Sequence, residues 1–370
     1  MKFLRDIPKD LLRGRAIVRI DLNSSDNWRL LCAGKTLKFL SQNAKAVLII
    51  SHTGRPNTNN PADFKKFSLK SRAGDISKLL RKEVVFLKDI SEAERQFKNC
   101  ESKKVFLLEN LRFDSGEEKN DKVLAGKLAL LGNYYVNEAF AVSHRANASV
   151  SAITKFIPSF AGFNFEDEIN NLSKAIANPK KPLVVILGGG KSADKVGIIK
   201  FLKNKAKWFL LGGASANTLL QLSGVDMKDS LREKDPKILA QMKPLLKLKS
   251  ILLPFDCKID KREVLDIGEL TAKEYAIKIG EAGTIIWAGP LGLFEKKKFA
   301  GGSLIVAKAI AKNKKSFSIV GGGETVEFLR KNKMDKYFDF VSTGGGAMLE
   351  FLAGNKLPGI EALNKNGKTN

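Results

Sequence analysis

Histidine is scarce in this sequence: His52 and His144 are the only two among 370 residues. Proton-transfer chemistry has few imidazoles to draw on, and each reads equally as a general base or as a neutral hydrogen-bond partner. The cysteines, Cys32, Cys100 and Cys257, are odd in number, widely spread and without C-x-x-C spacing, which argues against zinc and dithiol redox motifs and leaves buried free thiols. No apolar run approaches the roughly 20 residues of a membrane span, and the start, MKFLRDIPKD, carries charges where a secretory signal needs an apolar block. A cytoplasmic protein without a membrane partner is expected. A P-loop is missing too, although VVILGGGKSADK, Val184 to Lys195, contains Gly190-Lys191-Ser192. That motif needs its first glycine five positions before the one preceding the lysine, and Val185 stands there inside an apolar run.

Positive charge, by contrast, is abundant: 64 lysines and arginines against 39 acidic residues give a formal net charge of +25. Such a balance invites a polyanionic partner, nucleic acid first. Yet the lysines are scattered over helix-patterned stretches, the one tight run is Glu295-Lys296-Lys297-Lys298, and no RNA motif with interleaved aromatics occurs. Solvated lysine faces are the favoured reading, with no specific nucleic acid expected.

Length suits two domains of roughly 150 to 200 residues each, and the 44% hydrophobic content is enough for two cores. In the second half one unit recurs: an apolar run, a glycine turn, then helix-patterned sequence. It is seen in LVVILGGGKSADKVGIIKFL, WFLLGGASANTLLQL, TIIWAGPLGLFE, FSIVGGGETVEFLRK and FVSTGGGAMLEFLAG. Short Val/Ile/Leu/Phe runs alternating with helices imply a parallel sheet covered on both faces, and the lack of a fixed period makes this a doubly wound α/β fold.

The first half alternates as well, with strands expected at AIVRIDLN, KAVLIISH, VVFLKD, KVFLLENLRF and NYYVNEAF. These end in anion-binding side chains in place of glycine: Asp21 and Asn23, then Ser51, His52 and Arg55, then Arg112, then His144 and Arg145. Ligands of open α/β sheets sit beyond the carboxyl ends of the strands, so the first half reads as a site for a small polyanion. The join is expected in FEDEINNLSKAIANPKKP, with a helix from Glu166 to Ala177 that Asn178-Pro179-Lys180-Lys181-Pro182 stops, a stiff connector between two lobes that can hinge. The tail KLPGIEALNKNGKTN is expected to return to the first domain.

Arg19, Arg29, Arg55, Arg112 and Arg145 all lie in the first half. Brought together they would repel unless an anion neutralised them, which points to a phosphate or carboxylate ligand; surface salt bridges are the competing reading. In the second half, glycines at strand-to-helix turns let N–H groups approach phosphate oxygens, and Lys191 and Lys195 share one helix face. Glu324, after Gly321-Gly322-Gly323, stands where a carboxylate holds Mg²⁺ on a nucleotide, or answers a helix dipole.

Together these residues resemble the phosphoglycerate kinase family. The likeness runs from about Arg15 to Leu363, with VRIDLN, SHTGRP, LLENLRF, NEAFAVSHRANAS, LGGGKSADK, GGASANT, LPFD, DIG, WAGPLGLFE, VGGGETVEFL and VSTGGGAMLEFLAGNKLPGIEAL in family order. The resemblance implies two Rossmann-like lobes joined by a helix: an acid-substrate domain at 1–165, the helix and linker at 166–181, a nucleotide domain at 182–355 and the tail at 356–370. It implies that Arg19, Asp21, Asn23, Arg29, His52, Arg55, Arg112 and Arg145 bind 3-phosphoglycerate or 1,3-bisphosphoglycerate. Lys191, Lys195, Gly212, Gly213, Pro290, Glu295, Gly323, Glu324 and Thr325 would bind ADP or ATP with Mg²⁺ on Glu324, and Arg29, Lys191, Gly323 and Gly346 would act in catalysis.

The expected reaction is reversible phosphoryl transfer between 1,3-bisphosphoglycerate and ADP, giving 3-phosphoglycerate and ATP, by a monomer that closes its lobes. The accepting group is a carboxylate with no proton to remove, so no general base is needed. Four departures stand out. Ala288 replaces the asparagine of the family's WNGP and Glu324 the aspartate of its GGGD, NDAFGTAHRAH reads NEAFAVSHRAN, and DIGP becomes DIGE at Glu269. The loop after Asn23 is also short, so Arg29 is placed by the TLKFL that follows it. They open an alternative, a catalytically weakened relative that binds phosphorylated ligands in a regulatory role.

Overall fold

A computed structural model describes residues 1–24 and 26–366; Ser25 and residues 367–370, the end of the expected tail, lie outside the described residues. The chain divides into two compact units, one formed by Met1–Ile169 with the stretch from Lys356, the other by Asn170–Asn355.

The first unit is built on a parallel sheet of β1 (Arg15–Arg19), β2 (Ala46–Ile50), β3 (Val84–Leu87), β4 (Val105–Leu108), β5 (Tyr134–Asn137) and β6 (Ser159–Ala161), in the order β3-β4-β2-β1-β5-β6. Residues of one strand alternate between two cores. Ala16, Val18, Val47, Ile49 and Val136 enter one cluster, while Ile17, Ala46, Leu48, Ile50 and Tyr135 enter the other. This period of two with both faces apolar is what a covered parallel sheet requires, and it explains the unbroken Val/Ile/Leu runs. After β1 the chain winds outward through β2, then returns to place β5 on the other side of β1, so the winding order reverses between β1 and β5 while the strands stay parallel. The helix Pro358–Asn366 belongs to this unit: Gly359 N–H donates to Ser143 O (2.9 Å), and Asn366 Oδ1 accepts from Ser159 N–H (2.9 Å).

The second unit repeats the plan with β7 (Leu183–Leu187), β8 (Ala206–Leu211), β9 (Ile251–Leu252), β12 (Thr284–Ala288), β13 (Phe317–Gly321) and β14 (Phe340–Val341), all parallel, in the order β14-β13-β12-β7-β8-β9. Its reversal lies between β7 and β12. An antiparallel pair, β10 (Cys257–Asp260) and β11 (Glu263–Ile267), is an addition that the strand–turn–helix rhythm of the sequence does not announce.

The unit boundary falls inside the helix Phe163–Ala177, which starts three residues before the position expected from spacing. The reason is a pair of remote caps. Phe163 N–H donates to Thr36 Oγ1 (3.0 Å), and Asn164 and Phe165 N–H donate to the two oxygens of Glu138 (3.1 and 3.4 Å). These satisfy first-turn N–H groups that sequence alone leaves open. Glu138 is buried, and that burial pushes its carboxyl up to about 8, against the opposing pull of Thr36 and the two N–H groups. All three cysteines are free, Cys100 buried and the others half-buried. No helix among the described residues is long and apolar enough to cross a membrane.

Candidate active site

At the carboxyl end of β1, Arg19 is the centre of a buried polar network. Its guanidinium is 1% exposed, donates from Nε to Ser149 Oγ (3.0 Å) and from Nη1 to Ile20 O, and sets Nη2 against His52 Nδ1 at 2.8 Å. A guanidinium can only donate, so His52 Nδ1 accepts and the imidazole hydrogen sits on Nε2. Burial lowers the His52 pKa well below its ordinary value, and the charges of Arg19, Arg112, Arg145 and Arg29 lower it further. His52 is thus a neutral donor at pH 7, the hydrogen-bond partner of the two readings its sequence left open.

The same causes show that four arginines from four separate stretches lie within electrostatic reach of one imidazole. Arg29, carried on the short helix Trp28–Cys32, turns back to β1: Nη1 meets Asp21 Oδ2 at 2.7 Å and Asn23 O at 3.2 Å. Asp21 Oδ1 also accepts from Asn23 N–H (2.8 Å), and Asn23 Oδ1 from Gly54 N–H (2.9 Å), so the loop after β1 is tied to the loop after β2. Arg112, buried at the end of β4, donates to Gly54 O and pairs with Glu118 through Nε at 3.2 Å. Arg145 donates from Nε to His144 Nε2 at 3.2 Å. Arg55 is exposed, is not among the charges felt at His52, and makes no ion pair among the described residues. At this end of the sheet cations outnumber the carboxylates that pair with them, Asp21 on Arg29 and Glu118 on Arg112, an imbalance that an anion would relieve.

The second unit presents glycines at its strand ends, and they divide by role. Gly188 and Gly289 directly follow β7 and β12, whose ends stay hydrogen-bonded: a Cβ on Gly188 would come 2.1 Å from Pro290 O, and one on Gly289, at φ +94, would come 2.2 Å from Gly188 O. A Cβ on Gly213 (φ +56) would lie 2.6 Å from Gly189 O, and one on Gly212 2.7 Å from Leu291 Cδ2. These glycines let backbones cross. Gly323, the first residue of the helix Gly323–Lys331, has open space where a Cβ would be, and Gly190 meets only Leu231 Cδ2 at 3.4 Å. Those two are open to a ligand.

Beside these turns lies a cavity of about 200 Å³ lined by Gly189, Gly213, Ala214, Asn217, Pro290, Leu291, Glu295 and Glu324 among others. Its mixture of apolar wall and few polar groups suits a planar, partly apolar ligand. Lys191 precedes the helix Ala193–Leu202 and is exposed, so it does not share a helix face with Lys195, which is 6% exposed; burial lowers the Lys195 pKa, Lys191 adds to this, and Asp194 and Glu324 oppose it. Thr325 is fully buried and accepts from Gly289 N–H at 2.8 Å, holding the β13 turn to the β12 turn. Gly346 opens the helix Gly346–Leu352 after β14. The sequence reading missed Ser192 and Ser215, whose buried hydroxyls have no protein partner among the described residues. Both stand just after a glycine turn, and that position is the signal that could have marked them.

Residues 5–355 match the family described as phosphoglycerate kinase. A phosphoglycerate kinase of Thermosipho africanus is 39% identical, with 99% of this chain and 98% of that relative covered. Among solved structures, phosphoglycerate kinase from Coxiella burnetii superposes with a TM-score of 0.84 at 33% identity, covering 99% of each chain. That from Pyrococcus horikoshii OT3 gives 0.87 at 28% identity, with 100% of each covered.

Proposed function

This chain belongs to the phosphoglycerate kinase family and is a phosphotransferase with a carboxyl group as acceptor; from that premise we propose which residues carry the reaction. The acid substrate, 3-phosphoglycerate or 1,3-bisphosphoglycerate, is held by Arg19, Asp21, Asn23, Arg29, His52, Arg55, Arg112 and Arg145. The observation that carries this reading is Arg19 against His52 Nδ1 at 2.8 Å, with Arg29 and Arg112 held on the adjoining loops at Asn23 and Gly54, and the charges of these three and of Arg145 felt at His52. The cluster presents guanidinium forks to phosphate and carboxylate oxygens, and the neutral His52 adds a donor without adding charge.

ADP or ATP occupies the cavity of the second unit, with Gly213, Pro290 and Glu295 along its wall, Gly212 just behind it against Leu291, and Lys191 and Lys195 toward the phosphates. Glu324 suits Mg²⁺: it lines the cavity, makes no ion pair among the described residues, and belongs to no group of three metal-binding side chains there. A lone carboxylate is what that ion uses when phosphates complete its shell. When bound, the ion supplies charge neutralisation to the phosphate oxygens.

The attacking carboxylate carries no proton, so the residues have only to bind, orient and neutralise. Arg29 and Lys191 supply positive charge to the phosphoryl oxygens, and N–H groups near Gly323 and Gly346 donate to them. Free thiols fit a cytoplasmic setting, and the proposed sites each lie within one unit, so a monomer suffices.

Arg29→Ala and Lys191→Ala are expected to lower turnover far more than they weaken nucleotide binding, since transition-state arginines contribute roughly 10³ to 10⁵ in rate. Steady-state kinetics with a parallel MgADP titration measures both. Near-full turnover in either variant would remove that residue from its role.

A further inference from the structure

Behind Arg19 stands a buried chain of polar groups that the proposed acid site does not include. Glu117 is 1% exposed and Ser149 fully buried. Ser149 gives both its donors to the Glu117 carboxylate, Oγ–H to Oε1 at 2.6 Å and N–H to Oε2 at 2.9 Å. With its one hydroxyl hydrogen committed there, Ser149 Oγ has only lone pairs left for Arg19 Nε–H at 3.0 Å. The backbone around the pair is itself stitched: Ala148 N–H and Asn147 Nδ2 donate to Glu117 O at 2.9 and 3.2 Å, and Tyr135 OH donates to Ser149 O at 2.7 Å.

We propose that Glu117, acting through Ser149, is a positioning residue for acid-substrate binding: it fixes the Arg19 guanidinium and balances part of the charge that the arginine cluster gathers. The donor count supports the orientation. Of five Arg19 N–H groups, one goes to Ser149, those of Nη1 to Ile20 O and, at a long 3.5 Å, Ser51 Oγ, and one of Nη2 to His52. The second Nη2 hydrogen has no protein partner among the described residues. Ser149 therefore sets which N–H faces the ligand, and Glu117 sets the direction of the serine hydroxyl. Three carboxylates then serve the cluster, Asp21 on Arg29, Glu118 on Arg112 and Glu117 through Ser149, and the Glu117 charge is also felt at Arg112.

This inference rests on the reading that the arginine cluster holds the acid, and the experiment separates the two. KM for 3-phosphoglycerate, KM for MgATP and kcat are measured for Glu117→Gln, Ser149→Ala, Arg19→Ala and the double variant Glu117→Gln/Arg19→Ala, each checked for folding by circular dichroism. Loss of one buried charge-assisted contact is expected to raise the acid KM about tenfold in Glu117→Gln and Ser149→Ala, with the MgATP KM unchanged. If Glu117 acts through Arg19, Glu117→Gln adds less than about twofold once Arg19 is alanine. An unchanged acid KM in folded Ser149→Ala overturns the inference, as does a Glu117→Gln effect of equal size with and without Arg19. Should Glu117→Gln not fold, Ser149→Ala with rescue of the acid KM by Ser149→Thr decides the matter, and failure of rescue counts against the relay. Arg19→Ala with an unchanged acid KM would overturn the acid-site reading itself, and this inference with it.

Discussion

Glu324 and Ala288 flank one turn from two sides. Ala288 ends β12, is 1% exposed, pairs with Gly321 of β13 and leads into Gly289. Glu324 follows Gly323, and its Oε2 lies 3.5 Å from where a Cβ on Gly189 would sit. Both are departures from the family's usual pattern. Glutamate extends the carboxylate by one methylene, which octahedral Mg²⁺ at about 2.0 to 2.1 Å tolerates poorly unless space is made for it. If the small Ala288 side chain is what leaves that space, the two positions are coupled. Glu324→Asp alone should therefore help MgADP binding little or harm it, while Glu324→Asp with Ala288→Asn should raise it toward that of relatives with the usual pair. A double-mutant cycle on MgADP binding reads the coupling, and additivity within about 0.5 kcal/mol would mean that the two changes are independent. At this scale the sequence displays the groups that stand at strand ends, because a charged residue closing an apolar run is conspicuous. It hides Glu117 and Ser149, whose meaning comes from contacts across 32 and 130 positions with nothing local to mark them.

The glycine turns look alike in sequence and differ in the fold. Gly289 packs against backbone with φ +94, and alanine there must both enter a disfavoured region and displace Gly188 O, so Gly289→Ala should destabilise the protein by at least about 1–3 kcal/mol. Gly323 has neither constraint. Gly323→Ala should leave stability unchanged or raise it by up to about 1 kcal/mol, as expected of a helical glycine, while weakening MgADP binding if phosphate approaches its N–H. Thermal unfolding beside nucleotide titration separates the two effects, and equal behaviour of both variants would contradict the division. Apolar runs made the doubly wound α/β fold legible from sequence, and each expected strand core is present. What escaped was short or unsignalled: β6 spans three residues, β9 two, and the β10–β11 hairpin turns at Lys261 (φ 54) and Arg262 without the usual Asn or Gly. The early start of Phe163–Ala177 escaped because its caps, Thr36 and Glu138, are remote in sequence.

For the molecule as a whole, the net charge of +25 is a field and not a site. Exposed lysines attract any polyanion through counterion release, an attraction that falls steeply with salt. Binding to random DNA is expected to be weak at physiological salt and to vanish with modest further addition in a gel-shift titration. Salt-resistant or sequence-selective binding would demand a nucleic-acid surface that the described residues do not explain. The arginine cluster differs in kind, since Arg19 and Arg112 are buried and Arg19, Arg29, Arg112 and Arg145 are each held by named partners. Its specificity for the acid should survive salt that abolishes DNA binding. The central claim is that this cluster and the glycine-lined cavity together pass a phosphoryl group between a carboxylate and a nucleotide with no general base. A coupled assay of ATP formation from 1,3-bisphosphoglycerate and ADP tests it most directly, run on the unmodified chain and on Lys191→Ala. The account predicts ADP-dependent ATP formation by the unmodified chain and its near loss in the variant; a chain that binds both ligands and forms no ATP would contradict it.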